Sequence, residues 1–135
     1  MSVLKAVIDT NVWVSAYLSP TGTPSKLLKA FSDRRLLLVY SPDIEAEYRE
    51  VLYRDKFAIS RLMLAEFMWR LEESGLRILP PPLIDEHLPD PDDAPFIATA
   101  RHAHCLLVTG NAKHFPPEAC VAILSPAEAL VRLAA

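Results

Sequence analysis

Five short apolar runs punctuate the chain: LKAVI at 4–8, LLLVY at 36–40, LRIL at 76–79, CLLVT at 105–109 and CVAIL at 120–124. Each is nearly continuous in apolar residues, the pattern of strands buried on both faces. Between them the apolar residues return with helical spacing. Helices are predicted over 24–32, from Pro24; over 42–53, with Ser41 as cap and Pro42 in the first turn; and over 60–74, from Ser60 to Gly75. Two more are predicted over 92–103, capped by Asp92, and over 126–134, after Ser125 and Pro126. Strands alternating with helices predict an α/β fold, a three-layer α/β/α sandwich with a five-stranded, mostly parallel sheet. Ligands of such sheets bind outside the carboxyl ends of the strands. The polar residues that follow each strand are therefore where chemistry is expected.

Length and composition narrow the class. At 135 residues, 51% of them hydrophobic, the chain fits one domain, 1–135, with a normal core. No apolar run approaches the ~20 residues of a membrane span, and no signal peptide is evident, so a cytoplasmic protein with no membrane role is expected. Cys105 and Cys120 adjoin apolar runs and are expected to be buried, reduced thiols. The Pro80-Pro81-Pro82 run reads as a stiff connector within one domain. Net charge is −3, but basic residues crowd the first half and Asp85, Glu86, Asp90, Asp92 and Asp93 crowd a short later stretch. The basic half fits either solvated helix faces or a phosphate-facing surface.

The strand ends hold the informative residues. Asp9, Thr10 and Asn11 follow the first strand directly. Capping of a following helix would explain one of these polar groups; a carboxylate at the sheet edge would explain Asp9. In the helix over 42–53, Ile44, Tyr48, Val51 and Leu52 form the apolar face, and Glu47 falls on it. A carboxylate there is costly unless something pairs it, either an internal Arg or a ligand in a cleft. Asp93 likewise shares a face with Phe96, Ile97 and Ala100, whereas Asp92 suits a cap and Asp90 a loop or an outer position around a site. Thr109, Gly110 and Asn111 follow the fourth strand. Three inward acids at one sheet edge would repel by several kcal/mol at low effective dielectric unless protonated or neutralised by a cation. With oxygen donors alone, Mg²⁺ or Mn²⁺ is the suitable ion.

The ordered set DTNV, then E-x-x-x-V-L from Glu47 to Leu52, then D-D-x-x-F-I-x-x-A from Asp92 to Ala100, then V-T-G after a strand, resembles a PIN domain. The resemblance runs from Leu4 to about Leu124. DTNVWVSA and VTGNAKHFP look most like PIN toxins of the VapC type, from toxin–antitoxin pairs. It implies a Mg²⁺/Mn²⁺-dependent endoribonuclease acting on RNA, a small antitoxin partner, and a homodimer or higher assembly. The family's acidic quartet falls on Asp9, Glu47, Asp93 and Asn111. Asp9 and Asp93, with Glu47, would hold metal, and Thr10, Asn11, Asp90 and Thr109 would support them. Asn111 departs from the pattern, since many PIN domains have Asp there. Arg34, Arg35, Arg49, Arg54 and Lys56 are candidates for contacts along the RNA backbone. The alternative is a catalytically weakened PIN-like domain that binds RNA or protein without cutting. The excess apolar surface of the 60–74 helix, with Leu62, Met63 and Trp69, fits either a second subunit or antitoxin, or a helix wedged deeply in the core.

Overall fold

The computed structural model describes residues 3–82, 90–112, 115 and 122–134. The chain runs β1 (Leu4–Ile8), α1 (Thr10–Leu18), α2 (Thr23–Ser32), β2 (Leu36–Tyr40), α3 (Pro42–Leu52), α4 (Arg61–Ser74) and β3 (Leu76–Arg77). It continues through α5 (Ala94–Ala103), β4 (Leu106–Val108), β5 (Ile123–Leu124) and α6 (Pro126–Ala134). Short 3₁₀ turns at Asp55–Phe57 and Pro91–Asp93 precede α4 and α5.

The sheet has five strands in the order β3-β2-β1-β4-β5, and every pairing is parallel. Ala6, Val7 and Ile8 are all fully buried. Successive strand residues point to opposite faces, so helices must cover both sides of β1. The expected three-layer sandwich is what forms. Strand order reverses between β1 and β4, and that switch point is where doubly wound sheets open a crevice.

Several elements differ from expectation. α1 was not predicted as a helix. Its residues Thr10, Val12, Trp13, Val14 and Ala16 are all buried, so it presents no amphipathic stripe. β3 is shorter than 76–79, and both its residues are exposed: it is an edge strand, closed off before prolines that cannot donate to a ladder. The cap before α5 is Asp90, whose side chain accepts from the Asp92 amide at 2.9 Å. The Ser41, Ser60 and Ser125 caps form as expected, the last as a reciprocal box with Glu128. Cys105 is a half-buried free thiol, which burial pushes up; Cys120, Asp85 and Glu86 lie outside the described residues.

Trp13, Phe31, Tyr48 and Phe67 bring α1, α2, α3 and α4 together, with Phe67 meeting the other three rings at 5.4–5.9 Å. α4 buries Leu64, Phe67, Met68 and Leu71 but leaves Leu62 73% and Trp69 60% exposed. It is therefore one-sided, not wedged in the core.

Candidate active site

Asp9 leaves the carboxyl end of the central strand and occupies the cap position of α1, yet its side chain makes no capping bond. Its amide donates to the Val108 carbonyl at 2.9 Å, which ties the ends of β1 and β4 together. Its Oδ2 accepts from the Thr109 hydroxyl at 2.7 Å. Thr109 is fully buried, and its Oγ1 in turn accepts from the Asn111 amide at 3.1 Å. The Thr109-Gly110-Asn111 turn is thus anchored on Asp9. Gly110 does not have a left-handed backbone, and a Cβ there would meet nothing within 4 Å. Turn geometry does not require glycine at this position.

Glu47 is half-buried on α3 and accepts from the hydroxyl of Thr10, the residue after Asp9. Beside it, the buried Tyr48 hydroxyl donates to the Ile8 carbonyl and fixes α3 against the end of β1. Burial raises the Tyr48 phenol, which stays a neutral donor. Tyr48 was read from the sequence only as part of the apolar face. The signal for more was its place next to Glu47 on a buried stripe.

Asp93 is half-buried at the start of α5, in the 3₁₀ turn that Asp90 caps. Its carboxyl is pushed up to about 6, first by burial and then by the negative charges of Asp9, Asp90, Glu47 and Asp92. Glu47 is also raised: burial acts upward, the Thr10 hydrogen bond downward, and Asp9 and Asp92 upward again. Asp9, Glu47 and Asp93 therefore lie within one another's electrostatic reach. Among the described residues, no salt bridge joins Glu47 or Asp93 to a cation. The internal Arg that would have made Glu47 a structural ion pair is not found there. Asn111 is half-buried at the same edge, Asn11 is exposed on the first turn of α1, and Asp90 and Asp92 are exposed.

Two of the basic candidates lie at the opposite end of the sheet. The Leu4 amide donates to the Arg35 carbonyl, so Arg34 and Arg35 sit at the amino end of β1. That is about 16 Å from Asp9, at ~3.3 Å per strand residue. Arg49 and Arg54 pair one helical turn back with Glu45 and Glu50, and Lys56 lies over the Phe57 ring. The acids and Asn111 gather at one edge; among the described residues none of these cations forms a salt bridge with Glu47 or Asp93.

An all-oxygen donor set suits a hard divalent cation. Among the described residues, however, no three acidic, His or Cys side chains are close enough to enclose an ion as they stand. The chemistry of the donors and their mutual repulsion fit such an ion, with Asp9 and Glu47 already held by neutral hydroxyls.

An acid after the central strand, two more from flanking helices and an amide across the switch point are the arrangement of a PIN domain. The PIN-domain family model matches residues 5–113, and the chain belongs to that family. Similar folds include PAE2754 from Pyrobaculum aerophilum, at TM-score 0.63 and 18% identity, covering 98% of this chain and 90% of that one. FitAcB from Neisseria gonorrhoeae matches at TM-score 0.52 and 22% identity, over 90% of this chain and 97% of that one. VapBC2 from Rickettsia felis, solved bound to a DNA fragment from its promoter, matches at 0.52 and 16%, over 90% and 98%. An uncharacterized protein of Methanocaldococcus jannaschii, MJ1680, is 41% identical over 44 residues. That stretch covers 33% of this chain and only 28% of its relative. Among the described residues no helix is long and apolar enough to cross a membrane.

Proposed function

We propose that the chain acts as a single-domain, Mg²⁺- or Mn²⁺-dependent endoribonuclease, the toxin of a toxin–antitoxin pair. The observation that carries this reading is the meeting of Asp9, Glu47 and Asp93 at the carboxyl edge of the sheet. There the Thr109 and Thr10 hydroxyls donate to Asp9 and Glu47, and the Asp93 carboxyl is raised by burial and by four neighbouring acids. Half-buried carboxylates held near one another, raised first by burial and then by their mutual repulsion, fit a site for a cation.

Asp9 and Asp93, with Glu47, would hold the ion, and Asn111 offers a carbonyl oxygen in place of a fourth charge. The ion would neutralise the cluster, polarise a phosphoryl oxygen and make water a stronger nucleophile. Thr109 fixes the Asp9 carboxylate, and Thr10 fixes that of Glu47. Glu47, with its raised pKa, is suited to accept a proton from the attacking water. Asn11, exposed on the first turn of α1, would orient water or phosphate, and Asp90, which caps the turn that carries Asp93, would support that acid. The fold likeness to VapBC2 and FitAcB supports a small antitoxin partner. The exposed Leu62 and Trp69 face of α4 supplies apolar surface for such contacts.

The test is cleavage of a mixed RNA pool with Mn²⁺, by the wild type and by Asp9→Ala. Metal-dependent cutting lost in Asp9→Ala is expected. RNA retained without cutting at any metal concentration would favour the second reading, a binding module weakened by Asn111.

A further inference from the structure

A groove of about 400 Å³ opens beside the acids, between the start of α3, the segment after β3 and the start of α5. Its size lies in the small-ligand range of about 300–1,000 Å³. Prolines dominate its walls, among them Pro42, Pro80, Pro82 and Pro95. Among the described residues that line it, Asp43 contributes the one acidic side chain, and none is Lys or Arg.

The groove is lined by the first turn of α3, the helix that carries Glu47, and by neighbours of Asp93 in the chain. Pro91, Ala94 and Pro95 line it, and Asp93 sits between them in the chain. On the other side, the β1–β2 register pairs Ala6 with Leu38, so Ser41 follows β2 at the level where Asp9 follows β1. Adjacent strands lie about 4.8 Å apart. A phosphate at the acids would therefore leave its neighbouring base at the mouth of the groove.

What fits is constrained by the lining. Rigid apolar proline rings favour a flat ring and give little to a flexible chain. The Asp43 carboxylate disfavours phosphate and accepts only, so an occupant that faces it must bring N–H donors. Among the four bases, guanine alone offers two donors side by side, N1–H and the N2 amino group, which match the two oxygens of one carboxylate. We propose that this groove is a guanine subsite, with Asp43 reading the Watson–Crick edge of a base next to the scissile phosphate. The inference rests on the nuclease reading above and adds a base preference to it.

Two measurements test it. The four ribonucleoside monophosphates are titrated into the metal-free chain and followed by amide chemical shifts; the differences between them isolate the base, since the phosphate is common. Guanosine monophosphate should bind tightest and move the Ala94 and Ala98 amides, and Asp43→Asn should lower its advantage by about tenfold or more. Asp43 is exposed in the first turn of α3, so the variant keeps the fold. Ala98→Leu, which fills the groove, should weaken guanosine binding likewise. The second measurement maps cut positions in a mixed RNA pool, where guanine should be enriched beside the cut in the wild type and not in Asp43→Asn. Equal binding of all four nucleotides, a pyrimidine preference, shifts lying outside the groove, or displacement by an arginine-rich peptide but not by nucleotide would overturn the subsite. Cutting without base preference would refute the subsite and leave the nuclease standing. Guanosine bound in the groove of a chain that cuts no RNA would do the reverse.

Discussion

Asp93→Asn should make the metal-free protein more stable at neutral pH, although it removes a half-buried charge from the candidate site. The Asp93 carboxyl titrates at about 6 in the folded chain against an ordinary 3.8. That is roughly two units, or about 3 kcal/mol at 1.36 kcal/mol per unit. Asp93 is only half-buried, and solvent screening reduces this to about 1–1.5 kcal/mol. The sign follows from proton counts. Between about pH 4 and 6 the folded state holds the proton more tightly than the unfolded state, so stability falls as pH rises through this window. Above it the full penalty is present. Asp93 also sits at the start of α5, where a negative charge gains about 0.3–1 kcal/mol from the helix dipole, and this offsets part of the repulsion. Thermal denaturation in chelator from pH 4 to 8 measures the balance. With that offset the variant should unfold about 1–4 °C higher at pH 7, with the gap closing towards pH 4. Saturating Mn²⁺ should invert the order: a hundredfold excess over Kd adds about 2.7 kcal/mol to a chain that binds it, and the variant binds poorly. A variant less stable than the wild type at pH 7 without metal, or a gap that does not change with pH, would refute the repulsion argument.

Thr109→Val keeps the shape but removes the donor to Asp9 and the acceptor for the Asn111 amide. It should cost about 1–3 kcal/mol by denaturant unfolding and lower Mn²⁺-dependent cutting further than that loss explains. Asn111→Asp adds a fourth charge; isothermal titration should show Mn²⁺ bound at least tenfold more tightly, with lower metal-free stability at pH 7. Unchanged affinity would make Asn111 a turn residue only. Gly75→Ala would place a Cβ 2.5 Å from the Leu71 carbonyl oxygen and 3.1 Å from that of Leu38. Both neighbours are backbone, so a loss of about 1–3 kcal/mol in chemical denaturation is expected.

The strands and most helices were legible because two-sided burial and caps leave local marks. LLLVY needs no partner to look like a buried strand, and Ser41-Pro42 marks a helix start wherever it falls. α1 left no such mark, because Thr10 to Ala16 pack on more than one side and the stripe dissolves. β3 misled for the opposite reason: LRIL looks buried, but its place at the sheet edge is set by topology. The acids of the site were legible as misfits, charges on apolar faces. Their geometry was not. Thr109 and Asp9 are 100 residues apart, and Thr10 and Glu47 are 37 apart; no local pattern encodes such pairings. Nor could the charge count place Arg34 and Arg35 at the far end of the sheet, since that depends on the direction of β2.

The choice of hydroxyls as partners for these acids carries the functional argument one step further. A lysine or arginine beside Glu47 would relieve the repulsion at all times, and would occupy the room a divalent ion needs. Thr10 and Thr109 each donate one hydrogen bond, which orients a carboxylate and lowers its cost without cancelling its charge. The residual penalty is visible in the raised Asp93 and Glu47 carboxyls. It is the part of folding stability that a bound cation would return, so metal affinity and metal-free instability at this edge arise from the same charges. Replacing Thr10 or Thr109 by a cation would stabilise the empty fold and abolish the site. Asn111 fits the same logic in reverse: one charge fewer lowers the penalty on the empty edge and weakens its hold on the ion.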